Sequence, residues 1–537
     1  MKKILLLLLV IINNISLSAQ SFNGFALYNS QGSNTTYLID ENQNIAHSWN
    51  LNTECNYTVL LKDNGNLIRG TKYNNNILGG AAEGGRVQEI APDGSIVWDY
   101  IYSDANHLSH HDITLIGDNV LLTAWEVKTI SELDAYGYNN ATSNKWPTHF
   151  IELAPDGNGG ANIVWEWHIW DHLCQDIDPT KPNYVANISD HPELIDINMI
   201  QSSGGPGGGG PGGGGPGGNN GDWFHVNGVD YNEELDQIVF SSRHASEIYI
   251  IDHSTTTAEA ATSSGGNSGM GGDILYRWGN PSNYGMSGPQ IIPSAVHDSR
   301  WIPNDGRPNS GFLQVFNNSA MGNGQSSVDG IKTPIDTSTG YTYTRIPGQP
   351  FEPLSYTTRY ECAYSANGQS ASDRMSNGNI FINASGGQGG AGVMYEVDSL
   401  ENIIWGPYPA QSQKGFRYEC DHPGIIALQP YMTNTTTTSC FDNTSNTLNS
   451  TNTNNLLIYP NPTNSDFVVE LTSLKNSSII IEIYNLLGKN IFSKKINSLS
   501  SRTKETFNLK GMPEGMYFLK ITANDGRLYE EIISYIE

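Results

Sequence analysis

The sequence predicts an all-β protein, a β-propeller of about six blades followed by a small β-sandwich C-terminal domain. Three observations predict it. Segments that open on a histidine group recur along the chain, each running through a polar hairpin into a β-rich stretch. A second recurrent unit pairs two aliphatic strands across a tight turn and closes on tryptophan. Beyond a Thr/Asn/Ser-rich stretch, residues 456–537 hold a further series of short strands with turn signals between them.

The first unit begins at His110-His111-Asp112 in HHDITLIGDNVLLTAW, at Phe224-His225-Val226-Asn227 in FHVNGVDYNEELDQIVFSS, and at Val296-His297-Asp298 in VHDSRWIPNDGRPNSGFLQVFNN. Equivalent places in a closed ring of blades converge on its axis, so these histidines point to one shared site. The second unit reads YLIDENQNIAHSW at 37–49, QEIAPDGSIVWDY at 88–100, IELAPDGNGGANIVWEW at 151–167 and MYEVDSLENIIWGPY at 394–408, with another copy split by an insertion at 248–279. The Asp-Gly pairs supply the positive φ that tight hairpins need, and the flanking alternation buries one face of each strand. Two hairpins give four strands per unit. The span from Ser21 to Tyr431 allows about six blades at roughly 40–70 residues each. One of them has to come from the stretch around 326–360, where no clear strand pattern stands out.

The chain divides into a signal peptide at 1–19, a propeller at 20–431, a linker at 432–455 and the C-terminal sandwich at 456–537. Met1-Lys2-Lys3, the apolar run Ile4 to Ile12 and the small-residue exit Ser18-Ala19 carry the first assignment. The apolar run is too short to span a bilayer, no transmembrane segment is expected elsewhere, and no Cys follows the cleavage region to take a lipid. Gly204 to Gly218 reads as a flexible surface loop inserted before the His225 strand. A net charge of -26 excludes a nucleic-acid partner, since no basic stripe is present to neutralise phosphates. Export permits one or two disulfides among the five cysteines, and at least one cysteine stays unpaired.

Within 456–537 the landmarks are Tyr459-Pro460-Asn461-Pro462, IEIYNLLGKNIF at 481–492 and LKGMPEGMYFLKIT at 509–522. In this order they resemble the type A sorting domain used by the type IX secretion system of Bacteroidetes. The resemblance implies a partner, the type IX secretion machinery acting on residues 456–537, and a protein secreted or held at the cell surface. A carbohydrate-binding or adhesive sandwich is the alternative.

In the propeller, DHLCQDIDPTKPNY at 171–184, DHPELIDIN at 190–198, DWFHVNGVDYNEELDQIVFSSRHASEIYIIDHSTTT at 222–257, YRWGNP at 276–281 and HDSRWIP at 297–303 together resemble the bacterial arylsulfate sulfotransferases. That resemblance implies a six-bladed propeller that moves a sulfuryl group from a phenolic sulfate ester to a phenolic acceptor without phosphoadenosine phosphosulfate. No Walker-type phosphate loop occurs in the chain, and no cofactor or metal is expected.

Histidine suits such chemistry. A neutral imidazole attacks sulfur, holds the sulfuryl group as sulfo-histidine and yields it to a second phenol, splitting one hard displacement into two easier ones. The candidate catalytic residues are His225, His297, His111 and His422; Arg243, Arg300, Asn227 and Asp298 are the candidate substrate-binding residues. Guanidinium forks match tetrahedral oxyanions, and Asp112 or Asp298 could orient an imidazole through its second nitrogen. The family resemblance places the nucleophilic histidine in a late blade, whereas 363–385 holds no histidine, which leaves the carrier open among the four. His110 and His111 are adjacent, so in a regular strand only one faces the channel. The run Trp165 to His172 reads either as an aromatic wall for a phenol or as a buried strand, and His168 and His172 stay outside the catalytic set. Two other readings remain: a metal-dependent propeller hydrolase using His-Asp pairs, and a non-catalytic ligand-binding surface propeller.

Overall fold

A computed structural model describes residues 21–30, 32–200, 221–287, 294–320, 324–386, 392–433, 440, 456–461, 463–472, 478–485, 489–497, 502–513, 515–523 and 528–535. The signal peptide expected at 1–19, the Gly-rich loop at 204–218 and nearly all of the linker at 432–455 lie outside the described residues. The chain forms two compact units, 1–440 and 441–537.

In the first unit the described residues form six four-stranded antiparallel sheets. Blade A combines Gly415–Glu419 with Gly24–Asn29, Thr35–Ile39 and Ile45–Asn50. Blade B is Cys55–Leu61, Leu67–Lys72, Gly85–Ile90 and Ile96–Ile101. Blade C is His107–Ile116, Asn119–Glu126, Thr148–Pro155 and Ala161–His168. Blade D is Val226–Asn232, Gln237–Ser242, Glu247–Asp252 and Tyr276–Trp278. Blade E is Val296–Trp301, Leu313–Asn317, Ser327–Ile331 and Thr358–Glu361. Blade F is Ala371–Arg374, Ile380–Ala384, Gly392–Val397 and Ile403–Ala410.

The first-named strand of each blade touches its counterparts in the two flanking blades, and the circuit B, C, D, E, F, A returns to B. This is a closed six-bladed propeller. The stretch 326–360 supplies the outer half of blade E. Closure is made by pairing the last propeller strand, Gly415–Glu419, with the first, Gly24–Asn29. A disulfide between Cys420 and Cys440 follows at once, while Cys55, Cys174 and Cys362 are free and buried.

Aromatic side chains fill the space between blades. Phe150 stacks on Trp167 at 5.5 Å, and Phe240 stacks on Tyr249 at 5.1 Å, in one apolar cluster spanning blades C and D. Rings of this size remove large apolar areas from water. Trp165 and Trp167 are buried in the outermost strand of blade C, and their indole N–H groups donate to Thr255 Oγ1 and the Gly272 carbonyl. The Trp-rich run is thus a packed strand, and His172 is fixed beside it by Asp273 and the Ala260 carbonyl.

The second unit has a three-stranded sheet, Leu456–Tyr459, Asp466–Thr472 and Arg502–Asn508. Its four-stranded sheet is Asn490–Ile496, Ile479–Asn485, Gly515–Ala523 and Leu528–Tyr535. Period-two alternation sends Tyr517, Leu519, Ile521 and Ala523 into the core with Phe467, Val469 and Leu471, the arrangement of a small sandwich.

Candidate active site

The inner strands of blades B to E do not start as regular ladders. Pairing shifts between Cys55 and Val59, between Ser109 and Ile113, between Val226 and Gly228, and between His297 and Arg300. His111, His225 and Asp298 take left-handed φ values of 51°, 52° and 54°. Such a conformation costs an L-residue about 1–2 kcal/mol, so neighbouring contacts must hold it. Carboxylates supply them. Asp112 accepts the Val229 amide at 2.9 Å and the Thr58 hydroxyl at 2.5 Å, and Asp298 accepts the Ser372 amide at 3.0 Å. Each stitches its own blade to the next.

The bulge in blade C also overturns the alternation expected for His110 and His111. With the ladder interrupted at these residues, both rings lie together, with Nδ1 to Nδ1 at 2.7 Å and ring centroids at 5.0 Å. His110 stacks on Trp125 at 4.1 Å, and burial lowers its pKa to about 3.

His111, His225 and His297 converge with Arg243. The His111 and His225 rings are 4.6 Å apart, and His244 adds a fourth ring 4.8 Å from His225. A methyl group placed on Gly368 would lie 3.0 Å from Arg243 Nη1 and 3.9 Å from His297 Cε1, so the segment leading into blade F brings its bare backbone against both. Burial, with Arg243 next in weight, holds the His297 pKa well below the ordinary imidazole value. Burial and the neighbouring imidazoles do the same for His111, and burial lowers His244 to about 4.

Hydrogen bonds fix the tautomers. His297 Nδ1 lies 2.8 Å from the Ala295 carbonyl and 2.7 Å from Asn318 Oδ1. Both partners only accept, because the Asn318 amide donates to the Ala366 and Gln369 carbonyls. The proton of neutral His297 is therefore on Nδ1 and its lone pair on Nε2. His225 Nδ1 donates to Asp222 at 2.6 Å. Burial opposes ionisation of Asp222, but the His225 imidazole outweighs it and the carboxyl pKa falls well below the usual range.

The other expected residues have different surroundings. Asn227 is a strut, donating to the Val296 carbonyl at 2.8 Å and accepting from Ser241 at 2.7 Å. Asp298 and Arg300 belong to a buried ion network. Lys414 Nζ bridges Asp112 at 2.6 Å and Asp298 at 2.9 Å; Arg300 binds Asp298 at 3.2 Å and Asp373 at 2.9 Å and lies 4.5 Å over the Phe416 ring. Burial works against the Lys414 charge, yet Asp112 and Asp298 raise its pKa. Arg300 is thus committed to carboxylates.

His422 is not brought to the other histidines. It caps the helix Pro423–Leu428 through Gly424 N, and its ring meets Tyr418 edge-on at 5.0 Å. It follows the far end of the strand Gly415–Glu419, which Lys414 immediately precedes, about 16 Å along at 3.3 Å per residue. Sequence reading missed Tyr57, Asp222, His244, Gln369 and Lys414. The signal for Tyr57 was positional, since CNYTVLL opens blade B where HHDITLI opens blade C.

Among the described residues no group of three or more His, Cys, Asp and Glu is arranged to hold a metal ion, and no helix is long and apolar enough to cross a membrane. With a closed propeller and a histidine-arginine cluster beside its inner strands established, comparison with known families gives its class. The chain belongs to the arylsulfotransferase family, whose model matches residues 12–344. This carries an arylsulfate sulfotransferase type of activity. The match ends ahead of blade F, which like blade B contains no histidine. A secretion system C-terminal sorting domain matches residues 457–535 and directs export by the type IX route to the cell surface or extracellular space.

No curated protein matches the sequence. Among solved structures, a protein of unknown function from Bacteroides caccae is 11% identical with a TM-score of 0.40, covering 74% of this chain and 98% of its own. Citrobacter koseri AztD is 9% identical with a TM-score of 0.29, covering 91% of this chain and 100% of its own. The Dos1 propeller is 10% identical with a TM-score of 0.28, covering 97% and 96%.

Proposed function

We propose that the propeller transfers a sulfuryl group from a phenolic sulfate ester to a phenolic acceptor through a sulfo-histidine at His297. The observation that carries this reading is the pair of acceptors at His297 Nδ1, the Ala295 carbonyl and Asn318 Oδ1, which leave the Nε2 lone pair free. In the first half-reaction that lone pair forms the N–S bond. The S–O bond to the aryl group breaks, and its electron pair leaves on the phenolate. The growing imidazolium charge is met at Nδ1–H by the same two oxygens, while Arg243 balances the sulfuryl oxygens. In the second half-reaction the acceptor's oxygen attacks sulfur and the S–N electrons return to Nε2. The Asp222–His225 pair has the geometry to pass a proton between the departing phenolate and the incoming phenol. The low pKa of His297 keeps the carrier neutral where an ordinary imidazole would be protonated.

The test is release of nitrophenol from para-nitrophenyl sulfate by the purified full-length chain, with and without phenol, in EDTA. Phenol-stimulated release with formation of phenyl sulfate is expected, and His297→Asn should lower it by at least about three orders of magnitude. Release indifferent to phenol would make water the acceptor. Binding of aryl sulfates without release would point to a ligand-binding propeller.

A further inference from the structure

Blade B opens with the same interrupted ladder as the histidine-bearing blades, and it presents a phenol in place of an imidazole. Tyr57 lies between Cys55 and Val59, where pairing shifts, and is 2% exposed. Its ring meets His111 edge-on at 5.6 Å. Its oxygen accepts at 2.5 Å from Nε2 of Gln369, which lies in the segment leading into blade F. The Gln369 amide is held in that sense because its Oε1 accepts from the Ser385 hydroxyl at 2.8 Å. The Gln369 carbonyl accepts from Asn318 at 3.0 Å, and Asn318 is the residue that fixes the His297 tautomer. Gln369 itself sits at φ 57°, a left-handed position like those of His111 and His225. One continuous chain of hydrogen bonds thus ties Tyr57 to the proposed carrier.

A phenolic oxygen that accepts an amide N–H still has its own proton to give. Among the described residues no acceptor receives the Tyr57 proton. Burial holds the phenol well above its ordinary pKa despite the opposing influence of Gln369 and Arg243, so it stays a donor. We infer that Tyr57 is a catalytic residue whose O–H donates to the bridging aryl oxygen of the bound sulfate ester, and that Gln369 is the positioning residue that aims it. The donor meets the oxygen on which negative charge grows as the S–O bond breaks, an interaction stronger in the transition state than in the bound ester. Discrimination among esters follows, since a less acidic leaving phenol carries more charge and depends more on the hydrogen bond.

The inference rests on the sulfotransferase reading, and a leaving-group series separates the two. Full-length wild type, Tyr57→Phe and Gln369→Leu would be assayed on aryl sulfates whose leaving phenols range from strongly to weakly acidic. Tyr57→Phe should lower kcat/KM by about 10²-fold on phenyl sulfate and far less on para-nitrophenyl sulfate, steepening the dependence on phenol acidity. Gln369→Leu should steepen it in the same direction by a smaller amount. A folded Tyr57→Phe chain with the wild-type slope, or one slowed equally on every ester, would overturn the role. Should Tyr57→Phe fail to fold, the slope of Gln369→Leu decides by the same criterion. Wild type that releases no phenol from any ester would remove the sulfotransferase reading itself.

Discussion

Asp222 accepts three hydrogen bonds, from Trp125 Nε1 at 3.1 Å, from the His225 amide at 3.1 Å and from His225 Nδ1 at 2.6 Å. Asp222→Asn keeps the shape of this group and changes the proton. To go on accepting from Trp125 and the His225 amide, Asn turns its NH₂ toward His225 Nδ1, which drives the imidazole proton to Nε2 and removes the lone pair proposed to take the acceptor's proton. The expected outcome is a drop of roughly 10²- to 10⁴-fold in kcat with little change in KM, read by steady-state kinetics on para-nitrophenyl sulfate and phenol. Unchanged kcat would exclude His225 as the proton carrier. At this scale the sequence shows His111, His225 and His297 because a rare residue recurs at one place in a repeat. It hides Tyr57 and Gln369, which occupy similar places with commoner side chains. Asp222 precedes His225 by three residues in DWFH, but only the folded turn reveals that they meet.

Blades are legible where hairpins are tight, as in the Asp-Gly turns of blades B and C. Blade E is not, because the segment 332–357 separates Ser327–Ile331 from Thr358–Glu361, so no short turn marks the pair. Bulges escape a period-two reading for a related reason: the pattern assumes the regular ladder that they interrupt. Gly228 records one of them. A methyl group there would lie 2.7 Å from both Cα and N of Asp298, backbone atoms that cannot turn aside. Charge also joins blades. His253 bridges Asp236 at 2.7 Å and Glu152 at 3.0 Å. Burial alone would lower its pKa, but the two carboxylates raise it from 6.5 to about 9. The stabilisation is therefore complete below pH 6.5 and lost as pH rises through about 9. The Tm of the propeller should fall over that window, and His253→Gln should remove this part of the fall. Parallel Tm curves for the two chains between pH 6 and 9.5 would refute the bridge.

Ring closure belongs to the whole molecule, and nothing local in the sequence announces it. Gly415–Glu419 finds Gly24–Asn29 only because five other blades have already been laid out between them. Lys414, immediately before the closing strand, inserts its ammonium between Asp112 of blade C and Asp298 of blade E, all three 2% exposed or less. These carboxylates directly follow His111 and His297, so the ion network that holds the closing strand also holds the residues next to two of the clustered histidines. Lys414→Met removes the cation and leaves both carboxylates in a poorly solvated site. Breaking a buried pair in this way costs about 3–5 kcal/mol, whereas removing charges on both sides costs much less. Lys414→Met should lose about that much stability in urea, and adding Asp112→Asn and Asp298→Asn should restore part of it. All 11 tryptophans precede residue 441, so their fluorescence reports the propeller unit alone. Because the network underlies both histidine positions, sulfuryl transfer by Lys414→Met should fall at urea concentrations below those at which the fluorescence changes. Wild-type stability in the single variant, or loss of activity only together with fluorescence, would show that closure and catalysis do not share this lysine.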